Sequence, residues 1–162
     1  MALYVCSLIN NDNQTIPADG GYHLLKFPYK GESYDVWGMH DPCQPDEEVS
    51  VYPDERSGLI WPTVSGWGTL HATIHWANSD YTEVRSQYIR DPLGLAGGPD
   101  TTCTEDHQRN AGGQYRDKTH GIFVHPGTPV AVRVRHNGNS PATVMHAQFK
   151  LVIDDDVAVP GS

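Results

Sequence analysis

GTLHATIHW, residues 68–76, holds the clearest structural pattern in the chain. Its apolar residues alternate strictly with polar ones: Leu70, Ala72, Ile74 and Trp76 against Thr69, His71, Thr73 and His75. Because successive side chains of a β-strand point to opposite faces, this period of two predicts a strand with one buried and one polar face. It also predicts that Trp76 lies in the core.

The same period recurs towards the C-terminal end of the chain. Val130, Val132 and Val134 alternate with Ala131, Arg133 and Arg135, and a closing strand is predicted in which one face holds Met145, Ala147, Phe149, Leu151 and Ile153. The run DDD at 154–156 ends that strand. Strand formers or short apolar runs predict further strands at 2–9, 22–27, 58–62 and 81–90.

The polar segment 30–57 and the Gly-rich segment 91–117 are predicted to be long loops. No apolar helical period continues for more than about two turns, so little helix is expected. An antiparallel β-sandwich buries one face of each of about eight or more short strands. The fold class expected is all-β, with residues 1–162 forming one domain.

The composition and charge of the chain count against several classes of function. Sixteen Gly and twelve Pro in 162 residues suit short strands and turns, and a net charge of -9 with a pI near 5.3 counts against a nucleic-acid partner. No run approaches the roughly 18 apolar residues of a membrane span, so no membrane insertion is expected. The N-terminus lacks signal-peptide features, so we expect a protein made and kept in a cytoplasm or released by lysis.

The cysteines and histidines indicate no metal or cofactor. Cys6, Cys43 and Cys103 lack CxxC spacing and are expected as free thiols, with a Cys43–Cys103 bridge as the alternative. His71 and His75 would lie about 13 Å apart along a strand, too far for a shared zinc with ligands at about 2 Å. A metal-dependent cupin would need an H-x-H pair, which is absent. If the chain formed a trimer, three copies of one histidine could still bind a metal ion at the threefold axis, and this alternative stays open.

Catalysis is not indicated either. The chain has no G-x-S-x-G turn, and LAGGPD lacks the Lys of a phosphate-binding loop. A glycosidase pair could be sought among the carboxylates of the long loop, but a solvated charge cluster is the simpler interpretation: Asp46, Glu47, Glu48, Asp54 and Glu55. We therefore expect no enzyme. Trp37 and Tyr34, in the same loop, are candidate partner contacts because aromatic residues are favoured at interface hot spots.

From residue 13 onward the chain resembles the C1q/TNF-like domains of bacteriophage virion proteins. NQTIPADGGYHLLKF with YDVWGMHDP is similar to their entry motif, and WPTVSGWGTLHATIHWANS to their central strand. Arg85 to Ile89 keeps their R-x-x-x-I spacing, FVHPGTPVAVRVRHNGNS resembles a later strand and turn, and AQFKLVI fits the closing strand. Gly68 and Pro129 depart from the family pattern, which usually has Tyr and Asp near these positions.

The resemblance implies a ten-strand jelly roll that forms a homotrimer. It places the N-terminal, central, Val130 and closing strands in one inner sheet, whose free side faces the neighbouring subunits. The residues this places at the trimer centre or rim are His71, Thr73, His75, Arg133, Arg135, His146, Gln148 and Lys150. The simpler alternative is that they form a solvated sheet face.

The function expected from the resemblance is structural. The chain would be a decoration or cement protein on the outer surface of a phage head, bound to the major capsid protein or another virion protein. The N-terminal strand and loop, 1–21, could dock on that partner. We expect the protein at the virion surface after assembly in the host cytoplasm. The alternative is a minor tail protein, a tail-tip or fibre domain that recognises a host-surface glycan.

Overall fold

The computed structural model describes residues 2–110 and 114–156. These residues form nine strands and one short 3₁₀ helix, Glu55–Gly58. The strands are β1 (Leu3–Asn10), β2 (Gln14–Ile16), β3 (His23–Leu24), β4 (Gly66–Trp76), β5 (Glu83–Arg90), β6 (Asp100–Gln108), β7 (Gln114–Val124), β8 (Val130–His136) and β9 (Ala142–Asp154).

The strands form two antiparallel sheets that pack face to face. One sheet has the order β1-β9-β4-β7, with the short β2 also paired to β9, and the other has the order β3-β8-β5-β6. Both sheets contain strands that are distant in the sequence, as expected when neighbouring strands switch between layers. The predicted all-β antiparallel sandwich is confirmed.

The core lies between the two sheets and is built from their inward side chains. The Phe149 ring stacks at 6.1 Å from Tyr88 and at 6.2 Å from Phe27, so it joins the two layers. Trp76 is 1% exposed, which confirms its predicted place in the core. A side chain of this size stabilises the fold by about 2–3 kcal/mol when it is fully buried.

Segment 91–117, predicted as a loop, instead contains β6 and the start of β7. β6 carries no apolar alternation because it is an edge strand with solvent near both faces. β7 has polar residues at inward positions, where Gln114 is 1% and Lys118 7% exposed. The sequence of this segment therefore shows no alternation of apolar and polar residues, although both strands form.

Two of the other predicted strands are much shorter than expected. In 58–62 only Ile60 pairs, as an isolated bridge to Val130, because the preceding residues form the 3₁₀ helix. In 22–27 only β3 is paired in a ladder, although the Leu25 amide donates to the Val132 carbonyl at 3.0 Å. The strands predicted at 2–9 and 81–90 are present as β1 and β5.

A bulge displaces one residue of the closing strand. His146 lies opposite His75 while Val144 lies opposite Trp76, so β9 has one extra residue at this point. The extra residue is Met145, which is 36% exposed instead of sharing the buried face with Ala147 as predicted. An extra residue shifts the alternation by one position, so the buried face holds even-numbered residues before the bulge and odd-numbered residues after it.

A buried lysine on the edge strand β7 links the two sheets by binding carbonyls of β5 and β6. Lys118 Nζ, on β7, donates to the carbonyls of Ser86 (3.0 Å) and Cys103 and lies 4.6 Å from the centre of the Tyr88 ring. Cys103 has φ 54 and sits in a bulge of β6, which accounts for a carbonyl outside the regular ladder. Burial lowers the pKa of Lys118.

The resemblance placed the Val130 strand in the same sheet as the central and closing strands, and this is wrong. β8 lies between β3 and β5 in the four-stranded sheet. Val130, Val132 and Val134 face the core from the opposite layer. Alternation predicts which side of a strand is buried, but it does not say which of two facing sheets the strand joins.

The three cysteines are free thiols, as predicted, and the alternative Cys43–Cys103 bridge does not form. Cys6 is buried in the core, and burial raises the pKa of its thiol. Across the part of the chain that the structure describes, no helix has the length and apolar character needed to cross a membrane.

Candidate functional site

The outward side of the five-stranded sheet is the candidate functional site, and we call it the open face. It consists of the outward side chains of β1, β9, β4 and β7, in that lateral order. These are Leu3, Val5, Ser7 and Ile9; His146, Gln148, Lys150, Val152 and Asp154; Trp67, Thr69, His71, Thr73 and His75; and Tyr115, Asp117, Thr119, Gly121 and Phe123. Strand alternation places them on the side away from the core.

A polar belt crosses the middle of the open face. His71 Nδ1 lies 3.1 Å from Thr119 Oγ1, and Thr73 Oγ1 donates to Asp117 Oδ1 at 2.6 Å. These residues line a shallow groove of about 590 Å³ together with Lys150 and its neighbours on β1. The belt offers hydroxyl, imidazole and amide groups with one cation and one anion, a composition suited to polar contacts with another surface.

One end of the open face is mostly apolar, although Asp154 lies between Leu3 and Trp67 in the register. Trp67 is 45% and Leu3 55% exposed, and Val5, Val152 and Phe123 lie beside them. The Trp67 ring packs over Gly121, where an added Cβ would come within 2.6 Å of Trp67 Cζ2. Glycine at that position lets the indole lie close to the sheet and leaves much of the ring facing solvent.

The other end carries histidines and an aromatic ring. His75 stacks on Tyr115 with ring centres 4.5 Å apart, and it lies opposite His146 in the β4–β9 register. His146 Nδ1 is 2.7 Å from Asn11 Oδ1, and its Nε2 is 3.0 Å from Gln148 Nε2. No group of three potential metal ligands occurs within residues 2–110 and 114–156, so a histidine site would need several copies of the chain.

The open face is poor in charge compared with the rest of the protein. The chain has twenty acidic residues and a net charge of -9, but only Asp117 and Asp154 are acidic on this face, with Lys150 as a cation. Copies of a strongly acidic chain repel one another. A nearly neutral face is the part of the surface through which they could approach most easily.

The structure brings six of the eight predicted trimer-interface residues onto the open face: His71, Thr73, His75, His146, Gln148 and Lys150. Arg133 and Arg135 are not among them, which corrects their predicted placement. They project from β8 on the outer side of the four-stranded sheet, at the opposite side of the sandwich. Their positions follow from the sheet that β8 joins.

The predicted partner contacts, Trp37 and Tyr34, lie beside the edge of β1. Trp37 is 46% and Tyr34 48% exposed, and the Trp37 ring centre lies 4.6 Å from that of Tyr4. The Tyr34 carbonyl accepts from the Ser7 amide at 2.7 Å, so this loop covers part of the free edge of β1. The Trp37 ring is therefore held by Tyr4 while part of it stays exposed, and Tyr34 is fixed through its backbone.

The carboxylates considered for glycosidase chemistry have structural contacts in two cases. Asp54 caps the 3₁₀ helix, accepting from the Ser57 amide at 3.0 Å and from Ser50 Oγ at 2.6 Å. Although partial burial raises the pKa of Asp54, these hydrogen bonds lower it overall. Asp46 pairs with Arg56 at 2.9 Å. A group that stays ionised to low pH is a poor general acid.

Sequence reasoning did not identify Trp67, Leu3 or Phe123 as parts of the site. Trp67 stands at an outward position of the alternation, and this was the available signal. Its contact with Gly121 depends on the pairing of β4 with β7, in which Thr69 lies opposite Gly121. The start of β7, residues 114–117, was predicted as loop, and nothing in the sequence indicates that β7 pairs with β4.

Comparison with known proteins identifies the fold. No family model and no curated protein sequence matches the chain. Among solved structures it is similar to Eiger TNF from S. frugiperda, with a TM-score of 0.61 and 13% identity over 100% of this chain and 99% of that one. Murine APRIL gives 0.61 and 8% over 94% and 100%, and the globular domain of zebrafish complement 1qA gives 0.51 and 11% over 96% and 99%. The chain therefore has a TNF/C1q-like jelly-roll fold.

Proposed function

We propose that the protein assembles into a homotrimer through the open face. The observation that carries this is the combination of an exposed apolar end, centred on Trp67, with a face that holds few of the chain's many carboxylates. Apolar surface of this kind beside a polar belt is typical of an interaction site. The TNF/C1q-like fold and the sequence resemblance support a threefold arrangement.

The charges on the open face support a head-to-tail contact between copies. Lys150 on β9 and Asp117 on β7 lie on opposite sides of β4, and within the described residues they form no ion pair with each other. A closed threefold ring uses an interface in which one region of each copy meets a different region of the next. Asp117 of one copy can then meet Lys150 of its neighbour.

The trimer is a structural protein of a phage virion in this proposal. It binds the outer surface of the head as a decoration protein, with the major capsid protein or another virion protein as its partner. The ordered series of motifs shared with phage C1q/TNF-like domains is the support for this role. Separation of capsomers would also require breaking each decoration interface, and an interface of about 1,600 Å² repeated in many copies would resist it.

The surface beside β1 is the proposed contact with the head. Trp37 and Tyr34 offer exposed aromatic rings there, next to the N-terminal strand and loop. The Trp37 ring is held by Tyr4, and an aromatic side chain held in this way binds a partner with little loss of conformational entropy. The protein would be made in the host cytoplasm and carried on the virion surface.

Two experiments test the proposal at its two levels. Mass determination and cross-linking of the purified chain should give three copies, and a monomer at working concentration would refute the assembly. Cryo-EM of intact particles should show the trimer on the head lattice. Density confined to the tail would refute the decoration role while leaving the trimer in place.

The second candidate is a tail-tip or fibre domain that binds a host-surface glycan. The exposed Trp37 ring favours it, since sugar rings stack on such surfaces, and the acidic loop around it could accept hydrogen bonds from hydroxyl groups. A glycan array separates the two functions. Binding that is lost in Trp37→Ala would favour the receptor role, and no binding to any glycan would exclude it for the sugars on the array.

A further inference from the structure

The outer side of the four-stranded sheet carries a concentration of positive charge that is unusual for so acidic a chain. Arg85 on β5 lies directly opposite Arg135 on β8, and Arg133 is two residues along the same strand and face. The chain has only eleven Lys and Arg against twenty acidic residues. Like charges placed opposite each other across a sheet destabilise it unless other groups compensate.

Two of these arginines lie over one aromatic ring. The guanidinium carbons of Arg133 and Arg135 lie 5.0 and 5.7 Å from the centre of the Tyr22 ring. Tyr22 precedes β3, the neighbour of β8, so the sheet order itself brings the ring to this point. Stacking on an aromatic face holds a guanidinium in place with its donors free at the edges.

Only one of the three arginines is neutralised. Arg85 Nε is 2.6 Å from Glu83 Oε1 and 3.0 Å from Asp106 Oδ1. Arg133 instead donates to neutral acceptors, Gln87 Oε1 at 2.5 Å and Thr101 Oγ1 at 3.0 Å. Among the ion pairs of the described residues, none includes Arg133 or Arg135.

Arg135 also lacks acceptors for a buried donor. Its Nε is shielded from solvent and has no hydrogen-bond partner within the described part of the chain. A buried donor without an acceptor costs about 1–3 kcal/mol, more when it is charged. Two guanidiniums without a carboxylate partner thus lie on one face, Arg133 bound to neutral acceptors and Arg135 with an Nε that no acceptor meets.

We propose that Arg133, Arg135 and Tyr22 form a binding site for a single oxyanion group, a carboxylate or a phosphate carried by a small ligand. Guanidinium forks match both anions in geometry and make charge-assisted hydrogen bonds to them. Arg85 is bound by two carboxylates, Glu83 and Asp106, so the group of three arginines keeps a net positive charge that one oxyanion would neutralise. The net charge of -9 disfavours a polyanion, so the ligand carries one charged group and not a chain of them.

The site goes beyond the proposed assembly and does not depend on it. It lies on the sheet opposite the open face, so a trimer formed through the open face leaves it exposed. A monomeric chain would have the same site. Failure of either proposal therefore leaves the other standing.

The test is a titration followed through the side-chain Nε–H signals of arginine by NMR, with calorimetry for affinity. Sodium phosphate and sodium glucuronate are the two probes, and sodium chloride at matched ionic strength is the reference. We expect saturable shifts of the Arg133 and Arg135 signals with phosphate or glucuronate and none with chloride. Tighter binding of phosphate would indicate a ligand that carries a phosphate group, and tighter binding of glucuronate one that carries a carboxylate. Shifts no larger than those with chloride would overturn the proposal.

Variants locate the site. Arg135→Gln should weaken binding by about tenfold or more, because it removes a charge-assisted hydrogen bond. Arg135→Lys keeps the charge without the fork and should fall between. Arg109→Gln is the matched control, since Arg109 is exposed, donates to the Ser79 carbonyl and, within the described residues, makes no cation–π contact with the Tyr22 ring. Equal affinity in Arg135→Gln and the wild type would refute the assignment. If Arg135→Gln fails to fold, the wild-type titration still decides.

Discussion

Trp67→Ala should dissociate the trimer without unfolding the subunit. Trp67 is 45% exposed in the single chain, which for an aromatic side chain of up to roughly 250 Å² leaves about 110 Å² to be covered by a neighbour. At about 25 cal/mol per Å² this is about 3 kcal/mol for each subunit and about 8 kcal/mol for the ring of three. The association constant for three copies should fall about a millionfold.

The concentration at which half the protein is trimeric varies as the square root of the dissociation constant for three copies. It should therefore rise about a thousandfold in Trp67→Ala, measured by sedimentation velocity or mass photometry over a dilution series. Trp37→Ala is the matched control, because Trp37 is 46% exposed but lies off the open face. Far-UV circular dichroism checks that both variants keep their strands. An unchanged midpoint in Trp67→Ala, or an equal shift in Trp37→Ala, would refute the open face as the interface.

Three further predictions concern the single chain. Lys118→Met leaves the two carbonyls that its ammonium group binds without a donor, and it should lower the free energy of unfolding by about 2 kcal/mol in urea titrations; an unchanged midpoint would contradict the link between sheets. Asp54→Ala removes the cap of the 3₁₀ helix and should cost about 1 kcal/mol at pH 7. Because the folded-state pKa of Asp54 is lowered, the wild-type advantage is present above the unfolded pKa and is lost as pH falls through the folded value, so the two proteins should converge in unfolding experiments at low pH; a constant difference would refute this. Cys43 is exposed while the buried Cys6 has a raised thiol pKa, so a thiol reagent should label Cys43 first and Cys6 only on unfolding, as peptide mass mapping would show; early labelling of Cys6 would contradict its burial.

The fold class could be predicted because the inward sides of β4, β8 and β9 alternate clearly in the sequence. The period of two is local, and it survives wherever apolar residues fill the buried positions. It failed in β7, where Gln114 and the buried Lys118 occupy inward positions, and in the edge strand β6, which has no strongly buried face. Met145 was assigned to the wrong face because a bulge has no signature in the alternation itself.

The residues of the candidate site were predicted correctly only where they lie on the central strand or on the closing strand that pairs directly with it. His71, Thr73 and His75 share a strand, and the closing strand pairs directly with it, so their common face followed from period and resemblance. Arg133 and Arg135 show the same alternation but belong to the other layer. The contact of Trp67 with Gly121 and the gathering of arginines around Tyr22 each join segments far apart in the chain.

The sequence by itself determined that this chain forms short antiparallel strands, which side of most of them is buried, and that its surface is strongly acidic. These properties depend on the order and type of neighbouring residues, which local geometry converts directly into faces. Only the tertiary structure decided which strands share a sheet, and with that which polar faces become continuous surfaces. The reason is that pairing between distant strands is selected by the packing of the whole core, and no single segment contains that information.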